Sequence, residues 1–181
     1  MSNLNQKNIL IIAADGFQQE EFFEPMNYMR EQGANVHVAS MEKKSIKADT
    51  GEQREYTPEL TFSDVNVDDY DGLIIPGGLR NPDTLRQQDE AVQIVRDFGA
   101  SGKVIGAICH GPWLLAEADI VKGREMTSYP SIKTDLRNAG AQWTDSEVIA
   151  DNGIVTSRNP DDIPAFNRKL VEELNEGRHD R

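Results

Sequence analysis

Short apolar runs bounded by turn residues recur along the chain and predict buried strands. Three of them, 8–14, 71–78 and 103–109, are largely apolar and too short for a helix. Residues 35–41 alternate apolar and polar positions, which also favours a strand. Strands with apolar residues on both faces are typical of parallel sheets that are covered on both sides.

Longer segments between these runs predict helices. The clearest covers 89–102, where apolar residues recur at helical spacing. We expect further helices at 20–34, 111–121, 131–141 and 161–175. Because strands alternate with helices, the pattern predicts an α/β fold in which helices cover both faces of a mostly parallel sheet.

Turn signals complete this outline. The dipeptide Asn152-Gly153 is a strong hairpin signal and predicts a strand pair over 147–157. Residues 43–62 are polar and interrupted by glycine and proline, so we expect a hairpin or an excursion there. We expect the terminal residues 176–181 to fray.

Composition narrows the class of protein. A length of 181 residues suggests one domain spanning 1–181. The formal net charge of -12 argues against nucleic-acid binding through a basic face. No run approaches the length of a membrane span and no signal peptide is evident, so we expect a cytoplasmic protein without membrane contact. The single cysteine excludes an intramolecular disulfide and a cysteine-based zinc site.

That cysteine occupies a position suited to catalysis. Cys109 ends the strand at 103–109 and precedes His110, Gly111 and the next helix, a layout like a nucleophile elbow. A sharp turn there would project the thiol out of the sheet, and the following backbone N–H groups would stabilise a thiolate or an oxyanion. The alternative is a buried structural cysteine, which is common for an isolated cysteine. His110 is the one plausible imidazole base, because His37 lies within a strand and His179 in the tail.

Two other strand ends should meet Cys109 at the same edge of the sheet. Gly77 and Gly78 follow one strand, and their N–H groups could complete an oxyanion site. After the first strand, Glu20, Glu21 and Glu24 open a helix, where acidic residues are also favoured by the helix dipole. One of them could lie protonated beside Cys109, but spacing does not select which. No cluster of His, Asp and Glu shows metal-ligand spacing, and we expect neither a metal nor a cofactor.

Several motifs together carry a resemblance to a known family. The segments "ADGFQQEEFFEP", "DGLIIPGG", "AICHGPWLLAEA" and "IVTSRNPDDIPAFNRKL" resemble the ThiJ/PfpI superfamily, and within it the general stress proteins and deglycases of the PfpI branch. The resemblance covers a core of about 7–174. It implies a flavodoxin-like three-layer α/β sandwich related to class I glutamine amidotransferase domains.

The same resemblance implies roles for individual residues. Cys109 would be the nucleophile, His110 its partner and Glu21 the glutamate that hydrogen-bonds the thiol. Gly78 and the backbone of His110 would form the oxyanion site, with Gly77 and Gly111 as the adjoining backbone residues. Asp83 would reach the Cys-His pair of a neighbouring subunit, since the family forms homodimers and often hexamers.

The activity implied is the removal of reactive carbonyls. Members act as cofactor-free glyoxalases or deglycases on small carbonyl or glycated substrates, and others act as intracellular peptidases. A third hypothesis is that the protein is a redox sensor or a chaperone without turnover, because a reactive thiol also oxidises readily.

Overall fold

A seven-stranded sheet forms the centre of the molecule. The computed structural model describes residues 4–49 and 54–181. The strands of the described residues, seven of which form the central sheet, are β1 (Asn8–Ile12), β2 (Asn35–Ser40), β3 (Ile46–Lys47), β4 (Glu55–Tyr56), β5 (Leu60–Thr61), β6 (Gly72–Ile75), β7 (Val104–Ile108), β8 (Glu125–Met126), β9 (Gln142–Trp143), β10 (Ile149–Asp151) and β11 (Ile154–Ser157). The central sheet has the order β10-β11-β7-β6-β1-β2-β5, and every neighbouring pair is parallel except β10 with β11.

Helices cover both faces of this sheet. They are α1 (Gln19–Glu31), α2 (Arg80–Leu85), α3 (Asp89–Ser101), α4 (Trp113–Glu117), α5 (Lys133–Asn138) and α6 (Ile163–Glu176). One buried cluster joins the sheet to α2, α3, α4 and α5, and a second joins the opposite face to α1 and α6. The predicted three-layer, flavodoxin-like arrangement with a mostly parallel sheet is therefore confirmed.

The alternation of side chains along each strand explains why both faces are apolar. In β1, Leu10 and Ile12 belong to one buried cluster, whereas Ile9 and Ile11 belong to the other. A strand that fills two cores needs an uninterrupted apolar sequence. The central position of β1, between two cores, thus explains why its sequence is an apolar run.

Most predicted elements are present, with shifted limits. The turn at Asn152-Gly153 joins the antiparallel strands β10 and β11, and Asn152 adopts a positive φ of 49°. In the segment 43–62, β3 pairs antiparallel with β4, whereas its residues 50–53 lie outside the described ranges. The predicted helix 111–121 is shorter than expected. Asp119, with a φ of 59°, takes the left-handed conformation that closes α4.

The expectation of a frayed C-terminus is wrong. The His179 N–H donates to the carbonyl of Gly102 at 2.7 Å, and the Arg181 guanidinium donates to the carbonyls of Phe98 and Asn152 at 3.2 and 2.9 Å. These bonds tie the tail to the body of the protein. Among the helices described, none has both the length and the apolar character needed to cross a membrane.

Candidate active site

The carboxyl ends of β1, β6 and β7 meet at one edge of the sheet. Asn81 joins two of them: its Oδ1 accepts from the N–H of Ala14 at 2.6 Å, and its Nδ2 donates to the carbonyls of Pro76 and Gly77 at 3.0 and 3.1 Å. Asn81 is fully buried and lies at the start of α2, a helix that was not predicted from the sequence. Its side chain holds the loops after β1 and β6 in fixed relation.

Cys109 stands on a strained turn directly after β7. Its φ of 63° falls in the left-handed region, which non-glycine residues seldom adopt outside special turns. Hydrogen bonds hold this conformation, because the Cys109 N–H donates to the Ser157 carbonyl at 3.0 Å and its carbonyl accepts from the Tyr129 N–H at 2.8 Å. Cys109 as a whole is 7% exposed. This geometry is that of the elbow that the sequence suggested.

His110 lies between the thiol and a serine. Its Nδ1 is 3.2 Å from Sγ of Cys109, and its Nε2 is 3.1 Å from Oγ of Ser131. The ring stacks on Tyr129 and meets the edge of Trp113. Burial lowers the pKa of His110, so the neutral ring is favoured. A neutral ring that donates from Nε2 to Ser131 turns the lone pair of Nδ1 toward Cys109.

Sequence reasoning did not identify Ser131. It lies 21 residues beyond His110, in a 3-10 turn at Pro130–Ile132. A serine in a polar loop carries no pattern of its own, so only the fold reveals its contact with the imidazole.

Glu21 is the one of the three glutamates that points into the site. It is fully buried, whereas Glu20 and Glu24 are exposed. The Gly77 N–H donates to its Oε1 at 3.0 Å, and the carboxyl also interacts with the Cys109 thiol. Burial raises the pKa of Glu21 to about 8, so the carboxyl is mostly protonated at neutral pH.

The environment of the thiol differs from the sequence expectation. Burial raises the pKa of Cys109, and an ionised Glu21 would raise it further. The backbone N–H groups of Gly78 and His110 act in the opposite direction. Loss of the Glu21 proton would therefore disfavour the thiolate further, since two buried like charges in contact repel each other.

The structure also distinguishes among the glycines predicted to bind an oxyanion. The Gly77 N–H already donates to Glu21, and the Gly111 N–H donates to the carbonyl of Ile108 at 2.8 Å. The N–H groups of Gly78 and His110 face the sulfur. Gly77 has a steric role, because a Cβ there would lie 2.6 Å from Cβ of Cys109.

Asp83 does not join the Cys109 site within one chain. It lies on the exposed side of α2 and borders a cavity with Asp49, Leu79 and Arg80. Within the described ranges, the one group of carboxylate and imidazole side chains close enough to share a metal ion lies elsewhere, at the end of α6.

Comparisons with known proteins agree with this architecture. The chain is 43% identical over 167 residues to General stress protein 18 of Bacillus subtilis, covering 91% of this chain and 96% of the relative. It is 40% identical over 166 residues to Deglycase PfpI of Pyrococcus furiosus, covering 92% and 98%. The crystal structure of Drosophila melanogaster DJ-1beta superposes with a TM-score of 0.86 at 30% identity, covering 93% of this chain and 90% of that one.

A comparison with models of protein families identifies the family. The model of the DJ-1/PfpI family matches residues 7–173, nearly the whole chain. Both of these relatives are well above 30% identity and are matched almost end to end. The chain therefore belongs to the DJ-1/PfpI family.

Proposed function

We propose that the protein is a stress-response enzyme that removes reactive carbonyls through the thiolate of Cys109. The observation that carries the proposal is the contact of Sγ with Nδ1 of His110, made beside a buried Glu21 and two backbone donors. The names of the relatives, a deglycase and a general stress protein, support the same class of reaction. The substrates would be methylglyoxal, glyoxal or early adducts of these aldehydes on amines.

The first step is addition of the thiol to an aldehyde. Nδ1 of His110 takes the S–H proton, and the sulfur lone pair forms the S–C bond. The carbonyl π electrons move to oxygen, which faces the N–H groups of Gly78 and His110. Return of the proton to this oxygen gives a hemithioacetal. The protonated Glu21 keeps a second negative charge out of the pocket.

The later steps move a proton and add water. In the methylglyoxal adduct, His110 transfers the proton from the former aldehyde carbon to the neighbouring carbon, through an enediol. The proton of the hemithioacetal hydroxyl passes to the oxygen of that neighbouring carbon, so its carbonyl becomes a hydroxyl and the former aldehyde carbon regains a carbonyl. The product is a thioester. Water cleaves its S–C bond, which restores the thiol and releases lactate, so that one methylglyoxal and one water give one lactate. On a glycated amine, in which the amine has added to the aldehyde as a hemiaminal, the thiol would displace the amine: the S–C bond forms, the C–N bond breaks and the S–H proton passes to the nitrogen. The resulting hemithioacetal would follow the same steps.

The test is lactate formation from methylglyoxal in buffer free of amines and thiols. We expect the wild type to form lactate and Cys109→Ser to form none. His110→Gln should lose most of the rate, about 100-fold for a general base. His37→Gln is the matched control, because His37 is exposed and hydrogen-bonds to the Tyr70 hydroxyl away from the site. Lactate formation by Cys109→Ser at the wild-type rate would refute the proposal.

The peptidase and redox-sensor hypotheses predict different results, which can be measured on the same purified protein. A peptidase would cleave short fluorogenic peptides in a Cys109-dependent manner. A redox sensor would oxidise at Cys109 under dilute peroxide without turnover, although the low exposure of the sulfur disfavours rapid oxidation.

A further inference from the structure

A second group of reactive side chains lies at the opposite end of β7 from Cys109. Glu173 and Glu176 occupy the last turn of α6, and His179 follows in the tail. One ligand atom from each of the three lies within 4.8 Å of the other two. No metal site was expected here, because the few histidines and the spacing of the acidic residues along the sequence did not indicate one.

The chain builds this group from a simple spacing. Residues three apart on a helix share a face, so both glutamates point to the same side of α6. Gly177, with a φ of 89°, ends the helix and lets the chain turn back. His179 is then fixed by its N–H bond to Gly102, and its ring packs against Gly153, where a Cβ would lie 2.6 Å from Cδ2 of His179.

The geometry suits coordination better than a hydrogen bond. Nε2 of His179 is 2.9 Å from a carboxylate oxygen of Glu173 and 4.0 Å from one of Glu176. Nε2 is nevertheless buried and makes no hydrogen bond, so it is not aimed along the line to Glu173. A cation about 2.1 Å from both atoms would lie beside that line, at the distance typical of zinc with nitrogen and oxygen ligands.

The charges around Glu173 and Glu176 also favour a bound cation. The Glu173 side chain is 10% exposed, and burial raises its pKa, with Glu176 adding to that effect. The other charged groups facing it are Lys169 and Glu172, which pair with each other at 3.3 Å. The nearby Lys169 is thus shared with another acid, and a divalent cation would offset the two carboxylates of the cluster.

We propose that Glu173, Glu176 and His179 form a structural site for a divalent transition-metal ion of the zinc type, which fastens the C-terminal tail to α6. One imidazole with two carboxylates favours zinc and its first-row neighbours over magnesium or calcium. Glu176 is exposed and free to close the remaining distance, and water would complete the coordination. The site is independent of the chemistry at Cys109.

The test is calorimetric titration of Zn²⁺ into untagged full-length protein, stripped of metal and carrying Cys109→Ser to remove the thiol as a competing ligand. We expect one equivalent to bind. Adding His179→Ala or Glu173→Gln should weaken binding by at least about tenfold. His37→Gln is the control for loss of an imidazole and should bind as the parent does. Absence of binding, or equal binding in all variants, would overturn the site.

Thermal unfolding with and without Zn²⁺ guards against a variant that merely folds poorly. The metal should raise the midpoint of the parent and leave that of His179→Ala unchanged. Glu176→Gln alters an exposed residue, so it should keep the metal-free midpoint and still lose affinity. A parent insensitive to Zn²⁺, with a lower midpoint in His179→Ala, would show that the His179–Glu173 ion pair alone holds the tail.

Discussion

At the scale of single residues, the chemistry rests on Glu21 and Cys109 sharing one buried pocket. Burial disfavours the ionised form of both groups, and an ionised Glu21 raises the pKa of Cys109, although the hydrogen bond from the thiol acts the other way on the pKa of Glu21. The pair holds one negative charge more readily than two, so a protonated Glu21 favours the thiolate. Sequence motifs indicated which residues take part. The direction of the pKa of the thiol depends on burial, which the motifs do not contain.

The first prediction concerns the pH dependence of stability. In the unfolded chain Glu21 ionises near 4.5, and in the folded protein near 8. Between these values the folded state holds a proton that the unfolded state has lost, so the free energy of unfolding falls as pH rises. Glu21→Gln cannot ionise and should escape this fall. Its stability relative to the wild type should therefore rise by on the order of a few kcal/mol from pH 5 to pH 8.

Urea unfolding at several pH values measures this difference. Glu20→Gln, an exposed neighbour in the same helical turn, is the control and should follow the wild-type pH dependence. Parallel curves for Glu21→Gln and the wild type would mean that Glu21 is ionised in the folded protein at neutral pH.

The second prediction concerns Ser131 as a positioning residue for His110. Ser131→Ala removes the acceptor of the Nε2 proton, so the other tautomer, which turns a proton toward the sulfur, becomes accessible. Alkylation of Cys109 by iodoacetamide should slow by about tenfold. Ser131→Thr keeps the hydroxyl and should restore the rate. Nitrogen chemical shifts of the imidazole should report the changed tautomer, and unchanged shifts would contradict the assigned role.

At the scale of elements, the site exists because three parallel strands end at one edge. The apolar runs of β1, β6 and β7 made this edge predictable, since a strand that is buried on both faces has an almost continuous apolar sequence. Other elements carried no such signal. The helix α2 contains asparagine and proline, and β8 and β9 have two residues each, too few to show a period. The contact of Asn81 with two strand ends and the docked tail are likewise products of tertiary packing.

The third prediction tests how closely the loop after β6 must approach the loop after β1. Gly78 has a φ of 81°, and a Cβ there would lie 2.8 Å from the Gln18 nitrogen and even closer to the Gly16 carbonyl. Gly123 has a similar φ of 75°, but a Cβ there would meet no atom within 4 Å. The conformational strain of Gly→Ala is therefore matched, and only the crowding differs.

Gly78→Ala should consequently be less stable than Gly123→Ala by about 1–3 kcal/mol, the usual cost of forcing atoms into a packed region. It should also slow alkylation of Cys109, because the Gly78 N–H faces the sulfur. Urea unfolding and iodoacetamide kinetics check the two effects. Equal loss of stability in both variants would show that the loops separate without cost.

At the scale of the whole molecule, the remaining question is what covers the surface beside the site. Leu79 is a large apolar side chain that is 61% exposed, and Arg80 and Asp83 lie beside it on α2. An exposed leucine flanked by a cation and an anion is suited to a contact between copies of the chain. We propose that this surface mediates self-association to a dimer, with further assembly to a hexamer, and that Asp83 acts on a neighbouring subunit.

The fourth prediction follows from this proposal. Leu79→Lys places a charge in the contact, so light scattering after size exclusion should give a lower mass than the wild type. Met41→Lys alters another exposed apolar side chain, 40% accessible, and should keep the wild-type mass. Asp83→Asn should lower turnover while the assembly stays intact, because its carboxylate has no contact with Cys109 in its own chain. An unchanged mass for Leu79→Lys would remove α2 from the interface, and with it the route by which Asp83 could reach a second site.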